Sequence, residues 1–229
     1  MKKIVKQKIR LPIDNHDTIE NKCDFKHSAL LPSTIRCIIT GPSNCGKTNT
    51  MISLLEHPNG LKFENIYLYS KSLYQPKYIY LEKLLKPVKG IGYYKFSNGE
   101  KIINPSQAKP HSIFNFDDVA CDKQDVMREY FSNGRHNNID CFYLCQTYAK
   151  IPKHLIRDNA NVLILFKQDD LNLRHIYTDH VGTDMSFEQF KSLCSYCWKK
   201  NSYGFLSIFK DNKMCNGRYR YCFDHYINI

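Results

Sequence analysis

The stretch that most constrains this chain is residues 33–55. Residues 33–40 are β-branched and apolar and predict a buried strand. The chain then runs without a linker into Gly41-Pro42-Ser43-Asn44-Cys45-Gly46-Lys47-Thr48. Residues 48–55 carry apolar side chains at helical spacing until Pro58-Asn59-Gly60 ends the run. A strand buried on both faces needs helices above and below it, so this order commits the chain to an α/β layer arrangement.

The loop itself matches the pattern G-x-x-x-x-G-K-[ST] at Gly41, Gly46, Lys47 and Thr48. A chance match in a chain of this length has a probability of roughly one in a hundred, and the strand before it and helix after it lower that further. Each part has a chemical reason. Gly41 and Gly46 let the backbone bend so that N–H groups face a phosphate chain. The helix starting near Lys47 points its positive end at the same anion. Lys47 is expected to contact the β- and γ-phosphates of ATP, and the Thr48 hydroxyl to bind Mg²⁺. Pro42, Ser43, Asn44 and Cys45 complete the cradle. Cys45 is read as a variable loop position whose thiol the surrounding N–H dipoles would tend to acidify.

Further strands are expected at residues 65–69, 112–118, 140–146 and 161–167, with a shorter one at 91–96. Helices are expected at 80–86, at 125–131 closed by Asn133-Gly134, around 154–157, and from 171 to about 199. Alternating strands and helices predict a three-layer α/β domain with a mainly parallel five-stranded core. Two C-terminal strands, 203–209 and 218–223, would extend that sheet or cap it. The expected division is an arm at 1–30, a core at 31–181, and a helix and strand extension at 182–229.

An ATPase needs a carboxylate near Mg²⁺ and a second one to orient the attacking water. Asp117 and Asp118 end an apolar strand downstream of the loop and suit these two roles, Asp117 for the metal and Asp118 as general base. Gln146 ends the following strand, where an amide can contact both a phosphate oxygen and the water.

In chain order these elements are residues 39–48, the Asp117-Asp118 pair, Ser132-Asn133-Gly134-Arg135-His136, Gln146, and Pro152-Lys153-His154-Leu155-Ile156-Arg157. The series resembles the FtsK–HerA superfamily, specifically the poxvirus-type genome-packaging ATPases of large DNA viruses, virophages and Polintons. The resemblance covers residues 31 to about 181. It implies a RecA-like P-loop NTPase of the ASCE class, assembled as a ring of five or six copies, that drives double-stranded DNA into a preformed capsid. It also implies an arginine lent to the neighbouring subunit's site; Arg135 is the first choice and Arg157 the second. A capsid or portal-like vertex protein and duplex DNA are the implied partners, and the site of virion assembly, in cytoplasm or viral factory, the implied location. The alternatives are another translocase of the superfamily, a nucleoside or polynucleotide kinase, and a nucleotide-bound structural protein without turnover.

Composition agrees with a polyanion partner. The formal net charge is +11, with basic residues clustered at both ends. Tyr148, Tyr177, Tyr196, Tyr203 and Tyr219 lie among Lys199, Lys200, Lys210, Lys213, Arg218 and Arg220, a mixture that suits phosphate-backbone contacts and surface strands equally. No run of about 20 apolar residues is available to span a membrane, and the first residues lack the apolar stretch of a signal peptide. The ten cysteines are therefore read as free thiols or metal ligands rather than disulfides. Cys194, Cys197, Cys215, Cys222 and His225 are zinc-type residues, but the second cysteine pair is spaced too widely, and Cys194 and Cys197 also suit one helix face. Asn21-Lys22-Cys23-Asp24 matches a guanine-reading tetrad but lies upstream of the loop instead of downstream, so ATP is the expected nucleotide.

Overall fold

In a computed structural model, residues 26–97, 100, 102–119 and 122–229 are described. They form one nine-stranded sheet in the order β3-β2-β4-β5-β1-β6-β7-β8-β9. The first six strands in sequence are parallel: β1 (Arg36–Thr40), β2 (Asn65–Ser70), β3 (Gly92–Phe96), β4 (Ser112–Asp117), β5 (Ile139–Cys145) and β6 (Val162–Leu165). The short strand at 92–96 thus raises the parallel core from five strands to six. β7 (Leu206–Phe209), β8 (Tyr219–Tyr221) and β9 (His225–Tyr226) add antiparallel to β6 and extend the sheet rather than capping it. The two-residue β9 carried no legible periodicity.

Both faces of the parallel region are covered, and the strands alternate strictly between them. Cys141, Tyr143 and Cys145 of β5 point to one core, whereas Phe142 and Leu144 point to the other. The first core is closed by α3 (Asp125–Asn133), α4 (Asp170–Ile176) and α5 (Phe187–Lys200), through Met127, Tyr130, Leu173, Phe190 and Cys194. The second is closed by α1 (Lys47–Glu56) and α2 (Pro76–Leu85), through Met51, Leu55, Tyr78 and Leu81. Across β3, β2 and β4 the rings of Tyr94, Tyr67 and Phe114 stack with centroids 4.6 and 4.7 Å apart, a cross-strand ladder on the first face.

Several local expectations shift for identifiable reasons. α2 begins at Pro76, four residues before the apolar periodicity suggested, because proline is pre-set for the first helical position. α3 does not stop at a left-handed Gly134. That residue is helical, and the chain runs on through a tight turn, Gly134–Asn137, before Asn138 reverses it at φ 53°. A Cβ at Gly134 would stand 3.2 Å from the Ile139 carbonyl, a tight contact that glycine avoids. The expected helix near 154–157 is an irregular turn, with Leu155 at φ 67°. Pro152 precedes it without an N–H to give, and Arg157 is held from outside by an ion pair.

Residues 26–35 tie the lead-in to the start of β5. Asp140 is fully buried and accepts from Lys26 Nζ at 2.6 Å, His27 Nε2 at 3.0 Å and the Ile35 amide at 2.8 Å. The Lys62 amide donates to His27 Nδ1, so the His27 proton sits on Nε2 and points at Asp140. A second buried polar cluster lies beneath α4. Arg157 donates to Asp179 Oδ2 at 2.7 Å and stacks over the Tyr148 ring. The Tyr148 hydroxyl donates to the same oxygen and lies 2.7 Å from His180 Nε2.

Burial, followed by Lys210, Arg157, Arg218 and Lys153, pushes His180 down to about 3. The folded protein keeps this ring neutral, while the unfolded chain takes up a proton below about 6.5. Its contribution to stability is therefore complete above that value and is lost as the pH falls. Between pH 7 and pH 5, the wild type should lose roughly 2 kcal/mol more unfolding free energy than His180→Gln. Urea denaturation of both proteins at the two pH values measures the difference, and equal losses would show that His180 is not held neutral.

Candidate active site

The C-terminal ends of β1, β4 and β5 lie side by side on one edge of the sheet, and a cavity of about 230 Å³ opens there. Ser43, Asn44, Gly46, Lys47 and Thr48 line it from the loop after β1 and the start of α1, Asp117 and Asp118 from the end of β4 and just past it, and Cys145 and Gln146 from the end of β5 and just past it. Lys47, Thr48, Asp117, Asp118 and Gln146 thus converge with the loop residues Ser43, Asn44 and Gly46, all of them singled out by sequence motif. The strand order supplies the reason, because β5 is inserted between β1 and β4.

The loop is shaped for an anion. Gly46 sits at φ 113° as the residue before α1, and Asn44 also takes a left-handed conformation at φ 61°. Among the described residues, the amides of Ser43, Asn44, Cys45 and Gly46 donate no main-chain hydrogen bond, leaving four donors at a helix start. A Cβ at Gly41 would come within 2.5 Å of the Phe166 Cβ and 2.7 Å of the Cys45 sulfur, so the loop runs pressed against the residue that follows β6. Lys47 Nζ donates to the Gly41 and Pro42 carbonyls at 2.7 and 2.8 Å, which folds the side chain back across the loop.

Cys45 departs from expectation. Its thiol is raised, not lowered: burial is the largest influence and outweighs Lys47 and the nearby N–H groups, which act in the opposite direction. The side chain packs into the second core rather than standing over the cradle.

The two aspartates occupy different environments. Asp117 is the last residue of β4 and is buried, and burial, then Asp118, raises its pKa against the opposing pull of Tyr78, Lys47 and Lys77. Asp118 has left the strand and takes φ 57°, a conformation aspartate tolerates, with its amide bonded to the Leu144 carbonyl. That turn leaves it exposed on the cavity wall. Hydroxyl and carboxylate oxygens, as on Thr48 and Asp117, are the donors a hard divalent cation takes.

α2 and the residue that caps its start supply side chains that no motif pointed to. Gln75 and Lys77 line the cavity, and the Tyr78 hydroxyl donates to Asp117 Oδ2. The one sequence cue was Pro76, which marks a helix start at the mouth of the site.

The two candidate arginines lie elsewhere. Arg135 is exposed in the turn before β5, so roughly 20 Å of strand separates it from Gln146. Arg157 is buried and engaged with Asp179 and Tyr148. Tyr148 and Tyr219, counted among possible surface aromatics, are fully buried, with hydroxyls bonded to Asp179 and Asp184. Arg220 is buried as well, on the carbonyls of Gly217, Leu30 and Phe223. Cys194 and Cys197 face the core from α5, and among the described residues no three His, Cys, Asp or Glu side chains are grouped to hold a metal. The tetrad at 21–24 lies outside the described residues.

A phosphate-type loop after the central strand, an acidic pair one strand beyond its neighbour, and a strand inserted between them define a P-loop NTPase fold of the group with an additional strand. The chain belongs to the family of the poxvirus A32 protein, which matches residues 22–226. It is 30% identical over 151 residues to the DNA packaging protein OPG160 of vaccinia virus, covering 60% of this chain and 54% of the relative; the variola virus protein matches to the same extent. The chain spans about half the length of the curated relatives it matches. Among solved structures, its fold is similar to the genome packaging NTPase B204 of Sulfolobus turreted icosahedral virus 2. The sulfate complex of that protein aligns at a TM-score of 0.55 and 15% identity, over 78% of this chain and 92% of the other; the AMP complex gives 0.53 at 12% identity.

Gly41→Ala forces Phe166 or Cys45 to move, and overpacking of this kind costs roughly 1–3 kcal/mol. The variant should melt lower and bind a fluorescent ATP analogue at least tenfold more weakly than wild type. Thermal melts and equilibrium titration check both effects, and unchanged affinity would mean the loop relaxes without losing its cradle.

Proposed function

We propose that this chain hydrolyses ATP and couples the cycle to movement of double-stranded DNA into a capsid during virion assembly in the infected cell. The observation that carries the reading is the convergence of Lys47 and Thr48 with Asp117, Asp118 and Gln146 in one cavity at one edge of the sheet. The family and its packaging-protein relatives support the coupling to DNA, as does the net charge of +11. Among the described residues no helix is long and apolar enough to cross a membrane.

The donor chemistry fits Mg²⁺. Thr48 and Asp117 offer hard oxygens, and among the described residues no cationic side chain is bonded to Asp117. Bound there, the metal would neutralise charge on the phosphate oxygens. Lys47 would exchange its two loop carbonyls for the β- and γ-phosphates, and the amides of residues 43–46, which donate no main-chain hydrogen bond among the described residues, would hold the same chain. Asp118 would take a proton from the water that attacks the γ-phosphorus, and Gln146 would orient that water. The bond to the bridging β-oxygen breaks, and ADP and phosphate leave. Arg135 would complete a neighbouring copy's site in a ring, since it is exposed and far from its own loop. Arg157 is the weaker choice because its guanidinium already holds Asp179. The capsid vertex is the proposed docking partner.

Lys47→Ala should lower ATP turnover at least a hundredfold. Asp118→Asn should keep nucleotide binding and stop hydrolysis, since an amide cannot accept the proton. In the wild type, long duplex DNA should raise turnover, with affinity that depends on salt and little on sequence. Near-normal turnover by Lys47→Ala would remove the assignment of the loop. Turnover indifferent to DNA, with phosphate passed to an acceptor hydroxyl, would favour a kinase.

A subunit-mixing assay tests Arg135. Lys47→Ala protein keeps Arg135, and Arg135→Ala protein keeps an intact loop. Each alone should be nearly inactive, with the Arg135 variant down about a thousandfold. Mixing should recover a measurable fraction of wild-type turnover. No recovery in rings that demonstrably co-assemble would exclude Arg135 as the trans residue.

A further inference from the structure

The buried carboxylate of Asp117 has one hydrogen-bond partner among the described residues, and it comes from outside every recognised motif. Tyr78 of α2 donates its hydroxyl to Asp117 Oδ2. The ring is 1% exposed and packs with Leu81 and Leu85 in the second core. The hydroxyls of Ser70, at the end of β2, and Thr48, in the first turn of α1, are the other polar neighbours of the Tyr78 hydroxyl. Three elements, β2, α1 and β4, therefore meet at one phenol oxygen carried by a fourth.

We propose that Tyr78 is a positioning residue for the divalent cation, acting through Asp117; the role rests on the ATPase reading above and deepens it. A buried carboxylate at a strand end can rotate about its last torsion. The Tyr78 hydroxyl takes Oδ2, and among the described residues Oδ1 has no hydrogen-bond partner. Packing on the core face, not the cavity, sets the angle of the ring, so the donor is in position before any ligand arrives. Outer hydrogen bonds of this type orient metal-binding carboxylates, and their loss typically weakens metal binding by about 10- to 100-fold. The same link ties the cation to α2, where Lys77 and the N-cap residue Gln75 line the cavity.

A role in stability alone would cost folding without touching the metal. Tyr78→Phe removes one oxygen and keeps the ring. Its affinity for a fluorescent ATP analogue in EDTA should stay within about twofold of wild type, while the Mg²⁺ concentration that half-saturates the metal-dependent tightening should rise about tenfold. In an Asp117→Asn background the same substitution should add nothing, because the residue it acts through no longer carries the charge. An unchanged Mg²⁺ midpoint, or an equal and additive effect beside Asp117→Asn, overturns the role. Should Tyr78→Phe fail to fold, 3-fluorotyrosine placed at position 78 keeps the packing, and its fluorine resonance must move when Mg²⁺ is added to the nucleotide-bound protein; a stationary resonance overturns the proposal. Wild-type protein whose nucleotide binding ignores Mg²⁺ would instead remove the ATPase reading, and the Tyr78 role with it.

Discussion

The pairing of β5 with β1 on one side and β4 on the other is the constraint on which the site depends. Each parallel register is continuous: Thr40 lies opposite Cys145, and Asp117 opposite Leu144. The three strands therefore end together, and the residues that follow them, Gly41, Asp118 and Gln146, emerge on one rim. A parallel sheet allows this because every strand returns through a crossover and ends on the same edge. The hydrophobic alternation of β5 between two cores holds the register, since a slip of one residue would carry Tyr143 and Phe142 to the wrong faces.

Around that rim, burial and charge work against each other. Asp117 is held in a low-dielectric position that disfavours its ionised form, with Tyr78 as the compensating donor. Asp118, one residue on, escapes burial by turning through a left-handed conformation. Two adjacent carboxylates thereby acquire different environments, which is what the separate roles proposed for them require. The phosphate loop shows the same economy. Gly41 admits Phe166 to contact distance, Gly46 turns the chain into α1, and among the described residues the amides between them have no main-chain partners.

The opposite edge of the sheet is built from polar clusters. Asp140 gathers Lys26, His27 and the Ile35 amide, and Asp179 gathers Arg157 and Tyr148. These bonds fasten residues 26–35, which lead into β1, and the irregular crossover into β6. The exposed Arg135 lies on this edge, away from the loop of its own copy, which is the geometry a role between subunits would need. Arg220 closes the corner where β8 meets residues 30 and 223, with its guanidinium between the rings of Phe209 and Tyr226.

Legible from short stretches of sequence were the glycine-lysine loop after a strand, the paired aspartates after another, the glutamine after a third, and the parallel α/β class. In each case the information is local: a β-branched run, glycines with a lysine at fixed spacing, or acids directly after apolar residues. The same local evidence misjudged Cys45, because an amide-rich loop suggests an acidic thiol and only packing against the second core reveals the burial that raises it. It offered Tyr148, Tyr219 and Arg220 as surface candidates, because tyrosine and arginine carry both apolar and polar parts and their burial is set by neighbours distant in the chain. Tyr78 was invisible for a related reason. A tyrosine on an amphipathic helix is ordinarily core, and what sets this one apart is a carboxylate 39 residues away that the sheet order brings beneath its hydroxyl. Strand order decided which side chains share the cavity, because crossover direction and neighbour choice depend on how two cores pack, and no short stretch of residues encodes that.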